Sequence, residues 1–325
     1  MKALNIDILK LNASELDNKD TRSGFGDGLT QLGETNDKVV ALCADLTGSL
    51  KMNAFQDANP ERFFQVGIAE GNMMGMAAGL TIGGKIPFTG TFANFSTGRV
   101  FDQIRQSIAY SDKNVKICAS HSGLTLGEDG ATHQILEDLA MMKALPNMVV
   151  INPADYTQTK QATLAIADYV GPVYLRFGRP KRPVFIPADA PFEIGKAQLL
   201  KEGTDVTICA TGHLVWEAVL AAQTLAKEGI SAEVLNIHTI KPLDEEAIIA
   251  SAKKTGAVVS AEEHQIYGGL GESISGALAR NFPCKMAMVG VNDTFRESGT
   301  PEQLLEKYEC NAATIVAKTK ALLGK

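Results

Sequence analysis

No stretch of this chain stays apolar long enough to cross a membrane, and its opening residues, MKALNIDILKLNASELDNKD, lack the apolar core of a secretory signal. A basic block is missing too. The formal net charge of −6 carries no electrostatic footprint for nucleic acid or for an anionic membrane surface. The five cysteines, Cys43, Cys118, Cys209, Cys284 and Cys310, are spaced for neither a zinc site nor a disulfide framework. Three share a setting, in VVALCAD, VKICAS and VTICAT, which predicts core cysteines near strand ends in a reducing compartment. Fixed-period repeats and low-complexity tracts are absent as well. These absences leave the expectation of a cytoplasmic globular protein whose partners are neither nucleic acid nor membrane.

At 325 residues the chain is too long for one ordinary core, so two domains are expected. Short apolar runs alternate with helix-length patterns in both halves, which predicts α/β architecture: two open, mainly parallel α/β/α sandwich domains. In the first half, strands are expected over 38–44, 62–66, 86–90, 115–120, 147–151 and 172–176. Helices are expected over 22–34, 70–82, 97–110, 134–144 and 155–169. The segment FGRPKRPVFIPADAPFE holds four prolines, each fixing φ and removing a donor. The boundaries follow as 20–180, a linker over 181–193, and a second domain over 194–325. Open α/β sheets place ligands outside the carboxyl ends of their strands, so polar residues just after strands are the candidates.

The segment FQVGIAEGNMMGMAAGL, residues 64–80, poses the sharpest question. Its one carboxylate, Glu70, falls at the expected start of a helix, among apolar and small neighbours. The bland reading is an N-terminal acid stabilised by free N–H groups and the helix dipole. Against it, no basic residue lies between Arg62 and Lys85. A buried acid without a partner tends to keep its proton and suits acid–base work. Glycines at 67, 71, 75 and 79 recur every four residues, with 71, 75 and 79 on one helix face. That smooth face predicts either a tight helix interface, such as one between subunits, or a helix buried in a crowded core.

The loop ASHSGLTLGEDGATHQ, residues 119–134, is the densest polar signal. It holds His121 and His133 around the turn GEDG. Its glycines at 123, 127 and 130 let the backbone bend and expose those groups. The spacing does not suit a helical His pair on zinc. Asp45, Thr47 and Ser49 follow another strand, in ALCADLTGSL. Arg176 ends the strand VYLR, and Arg22 precedes a helix. Both are suited to bidentate phosphate contacts, although each alone is more often a surface ion pair. Phe92 and Phe95 are either core or a clamp for a planar heterocycle. The GDG of GFGDGL, followed by Asn53, imitates a diphosphate–magnesium motif, but no strand precedes it and the segment reads as a helix. No metal site is expected on this chain.

Together FQVGIAEGNMMGMAAGL, HSGLTLGEDGATHQ, ADLTGS and YLRFGR closely resemble the carboxyl-terminal half of transketolase, from about Thr21 onward and most strongly over 40–180. The resemblance implies a thiamine-diphosphate-binding pyrimidine domain followed by a transketolase C-terminal domain. It also implies that Mg²⁺ and the cofactor's diphosphate belong to an N-terminal transketolase subunit, with an α2β2 assembly. Glu70 matches the glutamate that bonds N1′ of the aminopyrimidine. Phe92 and Phe95 match the pocket around that ring, and Asp45 and Leu46 match positions near the cofactor. His121, Asp129 and His133 match groups that hold sugar hydroxyls, and His121 and His133 join Glu70 in the implied catalytic set. Arg22, Ser49 and Arg176 match the phosphate-binding set. One departure stands out: STGR, around Gly98, replaces the segment where many relatives carry a pocket tyrosine.

The implied activity is transfer of a two-carbon ketol unit between sugar phosphates. Rivals are deoxyxylulose-phosphate synthase chemistry or a transketolase for an unusual sugar, the β subunit of a 2-oxo acid dehydrogenase, and a non-catalytic assembly subunit. In the second half, EEHQIYGGLGESI resembles the family's C-terminal domain. His264 is expected to be structural there. Glycines 268, 269 and 271 make either a phosphate cradle or a plain strand-to-helix turn, and the turn is the preferred reading.

Overall fold

Parallel strand pairing organises both halves of the chain. The computed structural model describes residues 3, 4 and 6–325. In chain order its strands are β1 (Asn18–Asp20), β2 (Val39–Cys43), β3 (Phe63–Gln65), β4 (Ile86–Phe92), β5 (Lys116–Ser120), β6 (Val149–Ile151) and β7 (Val173–Arg176). They continue with β8 (Lys181–Pro183), β9 (Gln198–Lys201), β10 (Val206–Ala210), β11 (Ala232–Asn236), β12 (Thr239–Lys241), β13 (Ala257–Gln265) and β14 (Lys285–Val291). A seven-stranded sheet runs β12-β6-β7-β5-β4-β2-β3, and a five-stranded sheet runs β14-β13-β10-β11-β9. Strands β2, β4, β5 and β10 are buried along their whole length or nearly so. Helices cover both faces of such sheets, which is why these strands read as continuous apolar runs and not as alternating ones.

Cap chemistry sets several helix starts. Asp20 accepts from the Ser23 amide (3.0 Å) and begins the Thr21–Thr35 helix; Asp155 does the same for Gln158 (2.9 Å) and the Tyr156–Asp168 helix. Asp155 also takes the Phe185 and Ile186 amides, each at 2.8 Å. The proline-rich stretch is therefore tied down. Its first residues form β8, antiparallel to β1, so 181–193 is not the bare linker its composition suggests. Burial raises the Asp155 carboxyl to about 6, with those amides pulling the other way.

The expected helix over 134–144 spans only Asp138–Ala144, and 97–110 is broken into short 3₁₀, α and π turns. Strand β12 escaped the sequence reading. It comes from the second half yet pairs antiparallel with β6, at the edge of the first sheet. One apolar cluster accordingly runs from Met73 and Ile108, through Met148 and Val150, to Ile237, Ile240 and Leu270. The two halves share a core.

Polar groups lock the same junction. Arg176, at the end of β7, is 2 % exposed; its Nε donates to Asp138 Oδ2 (2.7 Å), and its Nη2 donates to Asp138 Oδ1 (3.3 Å) and to the Glu263 carbonyl (2.9 Å). Tyr174 donates its hydroxyl to the same Asp138 oxygen at 2.7 Å. His264 accepts from the Ala140 amide through Nε2 and donates from Nδ1 to the Gln265 carbonyl, the structural role expected of it. The glycine turn before the Leu270–Asn281 helix is filled by the chain itself. Glu262 accepts from the Leu270 amide (2.6 Å) and the Gly271 amide (2.8 Å), which leaves no cradle for a phosphate.

Candidate active site

Because β2, β4, β5 and β7 run parallel, their carboxyl ends open on one edge. The residues after them gather there. Glu70 is the first residue of the Glu70–Ile82 helix and is 4 % exposed. Phe92 ends β4, Phe95 follows one turn later, and His121 follows β5. The Phe92 and Phe95 rings lie nearly parallel, with centroids 5.8 Å apart and planes 19° off. His121 covers Phe92 at 3.8 Å, and His133 meets Phe95 edge-on at 5.4 Å.

Two sequence expectations change here. Glu70 is not partnerless: Arg99 Nη1 donates to its Oε1 at 2.9 Å. The partner arrives from beyond β4, 29 residues along the chain, outside the window in which the sequence shows no base. Nor do Phe92 and Phe95 form a clamp, because stacked rings at this spacing leave no gap for a third between them. The ring faces that remain are on the outside of the pair.

His121 sits at φ +56° and is 4 % exposed, its Nδ1 at 2.8 Å from the Ser120 hydroxyl. Its pKa is pushed down to about 3, first by burial and then by the Arg22 and Arg179 guanidiniums. At neutral pH this imidazole is uncharged. Arg22 donates to Asp20 Oδ1 and to the Ser49 carbonyl, both at 3.2 Å, so Ser49 takes part here through its backbone. Burial and nearby Arg179 lower the Arg22 pKa, with Asp20 opposing. Arg179 donates to the Leu126 carbonyl (2.7 Å) and pairs with Glu128. Two guanidiniums, each paired with a carboxylate, thus stand near a neutral imidazole at this edge.

Arg176 does not join that pair. Its guanidinium is spent inside the domain junction, so it stands apart from the phosphate set in which its position after a strand had placed it. Arg179, three residues on, faces the crevice instead. The sequence did offer it, within the same FGRP segment; the strand-end rule favoured its neighbour. Arg99 was equally visible in STGR and equally passed over. Asp45 (φ +58°) and Asp129 are exposed, and Leu46 is half-buried against the Phe25–Phe177 core. The Asp45 amide donates to Gln65 Oε1 at 2.7 Å. His133 is half-buried, its Nδ1 against Thr132 Oγ1 at 2.9 Å. Asp27, of the misleading GDG, lies inside a helix and accepts from the Tyr156 hydroxyl.

The loop carrying GEDG is shaped by the second half. A side chain at Gly123 (φ +75°) would strike the Glu263 carboxylate, and one at Gly130 (φ +72°) would strike the Ser298 hydroxyl. Gln134 donates to the Glu297 carbonyl at 3.2 Å. By contrast, the glycine face of the Glu70–Ile82 helix is open. A Cβ at Gly75 or Gly79 would meet nothing within 4 Å, and Ile68 and Ile82 flank it at 77 % and 78 % exposure. Met73, Met74, Ala77 and Ala78 face the core instead. The reading as a helix crowded on all sides does not hold. Among the described residues, no helix is long and apolar enough to cross a membrane.

Family models match two segments: "Transketolase, pyrimidine binding domain" over residues 17–183 and "Transketolase, C-terminal domain" over 195–315. A protein of Methanocaldococcus jannaschii named "Putative transketolase C-terminal section" is 46 % identical over 92 % of this chain and 95 % of its own. A 6-deoxy-6-sulfo-D-fructose transketolase subunit of a Clostridium species is 45 % identical over 91 % of this chain and 92 % of its own. A solved structure described as a split gene transketolase, inactive beta4 tetramer, superposes with a TM-score of 0.89 at 48 % identity, covering 94 % of this chain and 99 % of that one. The chain belongs to the transketolase family, with the pyrimidine-binding and C-terminal domains in one polypeptide.

Proposed function

We propose that this chain is the C-terminal subunit of a split transketolase, active with an N-terminal subunit that holds the diphosphate and Mg²⁺ of thiamine diphosphate. The reaction is transfer of a two-carbon ketol unit between sugar phosphates. The observation that carries this reading is a secluded carboxylate at a helix N-terminus, beside an outward aromatic face, on the same sheet edge as Arg22 and Arg179. The residues fit the cofactor's ring. A planar nitrogen cation, the Arg99 guanidinium, already lies 4.1 Å over Phe95 while bonded to Glu70, so the pocket accepts a flat group with an N–H edge. Thiamine diphosphate, when bound, supplies the carbanion chemistry that breaks and remakes the carbon–carbon bond.

The chain's own residues supply position and protons. Glu70 would hold the ring nitrogen through its carboxylate oxygen, sharing a proton there. Phe95 would present its outer face to the heterocycle, with Phe92 stacked behind it. Neutral His121 acts at sugar hydroxyls without paying to bury a charge, and Asp129 and His133 border the same opening. Arg22 and Arg179 anchor the substrate phosphate. The open glycine face of the Glu70–Ile82 helix takes a neighbouring chain in an α2β2 assembly, because a face without side chains lets another backbone approach closely.

Two results test this. The chain alone, given thiamine diphosphate and Mg²⁺, is expected to show no ketol transfer, and mixing it with the N-terminal subunit restores activity. Full turnover by the chain alone would overturn the split. In the complex, Arg22→Ala and Arg179→Ala are expected to raise KM for phosphorylated sugars about tenfold or more with a smaller change in kcat, as ground-state anchors do. Equal losses with unphosphorylated sugars would remove the phosphate role.

The 6-deoxy-6-sulfo-D-fructose subunit among the relatives keeps a second reading in view. A guanidinium pair recognises a sulfonate as readily as a phosphate. Comparing the two sugar classes in the same assay decides between them.

A further inference from the structure

The Glu70–Arg99 pair has a geometry that a surface ion pair does not need. Glu70 is secluded, whereas the Arg99 side chain is half exposed. The guanidinium does two things at once: its Nη1 bonds the carboxylate, and its Cζ lies over the Phe95 ring. Those are the two contacts required of a flat nitrogen heterocycle in this pocket, a hydrogen bond to Glu70 and a stack on phenylalanine. The phenylalanine pair offers no other face for such a ring. Phe92 and Phe95 are stacked on each other, and the outer face of Phe92 is covered by His121. The Phe95 face beside Glu70 is the one that combines carboxylate and aromatic surface, and Arg99 covers it.

The backbone around Arg99 departs from a regular helix. Sequence periodicity predicts one helix over 97–110. The chain instead passes through Thr97 (φ −131°, ψ −74°), a 3₁₀ turn at Gly98–Val100, a single α turn at Phe101–Gln103 and a π turn over Ile104–Ala109. Mixed turns of this kind hold a helix short of its regular register and recur at functional sites. Val100, Ile104 and Ile108 are buried and fix the inner side of the segment. Arg99 projects on the outer side, where it can leave without opening the core.

We propose that Arg99 is an internal occupant of the aminopyrimidine site, satisfying Glu70 and covering Phe95 until the heterocycle displaces it toward solvent. This rests on the reading of Glu70 as the ring's partner, and adds that the free chain blocks its own site. A ligand competing with an internal occupant sees its affinity reduced by the fraction of chains in which the site is open. The guanidinium and the ring cannot share the Phe95 face.

The test uses the full-length chain without its partner and the bare 4-aminopyrimidine half of thiamine as probe. Titration calorimetry is run on wild type, Arg99→Ala and Glu70→Gln. Arg99→Ala is expected to bind the probe on the order of tenfold more tightly than wild type, the scale of a lost partly exposed ion pair and cation–π contact. Glu70→Gln is expected to bind more weakly than Arg99→Ala. A second readout is phenylglyoxal labelling of Arg99 in wild type, followed by mass spectrometry: the probe should make Arg99 more reactive. If the probe binds wild type through Glu70 but Arg99→Ala binds equally or less well, the occupant proposal is overturned and the Glu70 reading stands. If Arg99→Ala tightens nothing and Glu70→Gln changes nothing, both fall.

Discussion

Glu70→Gln in the reconstituted complex is expected to cut ketol transfer by two to four orders of magnitude, the range for losing a positioned proton-transfer group. Glutamine keeps the size of the side chain and an oxygen to accept from Arg99, so the helix start stays intact. It lacks a group that can share a proton with a ring nitrogen. Far-UV circular dichroism and the melting temperature of the variant should therefore match wild type while turnover disappears. Wild-type rates in the variant would take Glu70 out of the mechanism. A parallel loss of fold and rate would show only that the carboxylate is structural, and Arg99→Ala, which removes the partner but leaves the acid, separates those cases.

Asp138→Ala is expected to produce the largest loss of stability. It strands the Arg176 guanidinium, 2 % exposed, with only the Glu263 carbonyl, and leaves the Tyr174 hydroxyl without its acceptor. Removing one partner of a buried pair costs about 3–5 kcal/mol, which corresponds to a drop in Tm of roughly 4–7 °C for a chain of this length. The double change Asp138→Leu with Arg176→Met should recover much of it, because no charge is then left buried. An unchanged Tm in Asp138→Ala would mean that the junction is held by apolar packing alone. The same pair predicts an acid limb. Burial raises the Asp138 carboxyl, but the Arg176 guanidinium, His264 and the Tyr174 hydroxyl together hold the group below its ordinary value. The stabilisation is thus present at neutral pH and lost as the pH falls below about 4, through the folded-state pKa. Asp138→Asn should lack this part of the acid transition, which denaturant melts across pH 5 to 2 would show.

These expectations draw unequally on what was readable in the sequence. VVALC, VKICAS and VTICA lie where their apolar continuity predicts, because a strand covered by helices on both sides must be apolar along its whole length. Glu70, His121 and His133 stand out because polar residues at strand ends and helix starts are few and chemically distinct. The rest depended on contacts distant in the chain. Arg176 and Arg179 are three residues apart in one segment, yet one is spent inside the domain junction and the other faces the crevice. Glu70 looked partnerless because its base comes from beyond the next strand. The stacking of Phe92 on Phe95 followed from a tight turn after β4 that periodicity does not describe. Strand β12 is three residues long and pairs across domains, so neither length nor neighbours marked it.

The sequence by itself determined the alternation of strands and helices, the parallel sheets that follow from it, and the edge along which polar groups collect, since burial pattern and helix capping are local properties. Only the tertiary structure decided which arginine faces the strand-end crevice and which is buried against Asp138, that the second half lends a strand to the first sheet, and that Glu70 is met by Arg99. The reason is that a charged side chain takes its role from what surrounds it, and the surroundings of each of these groups are assembled from segments that the chain keeps tens of residues apart.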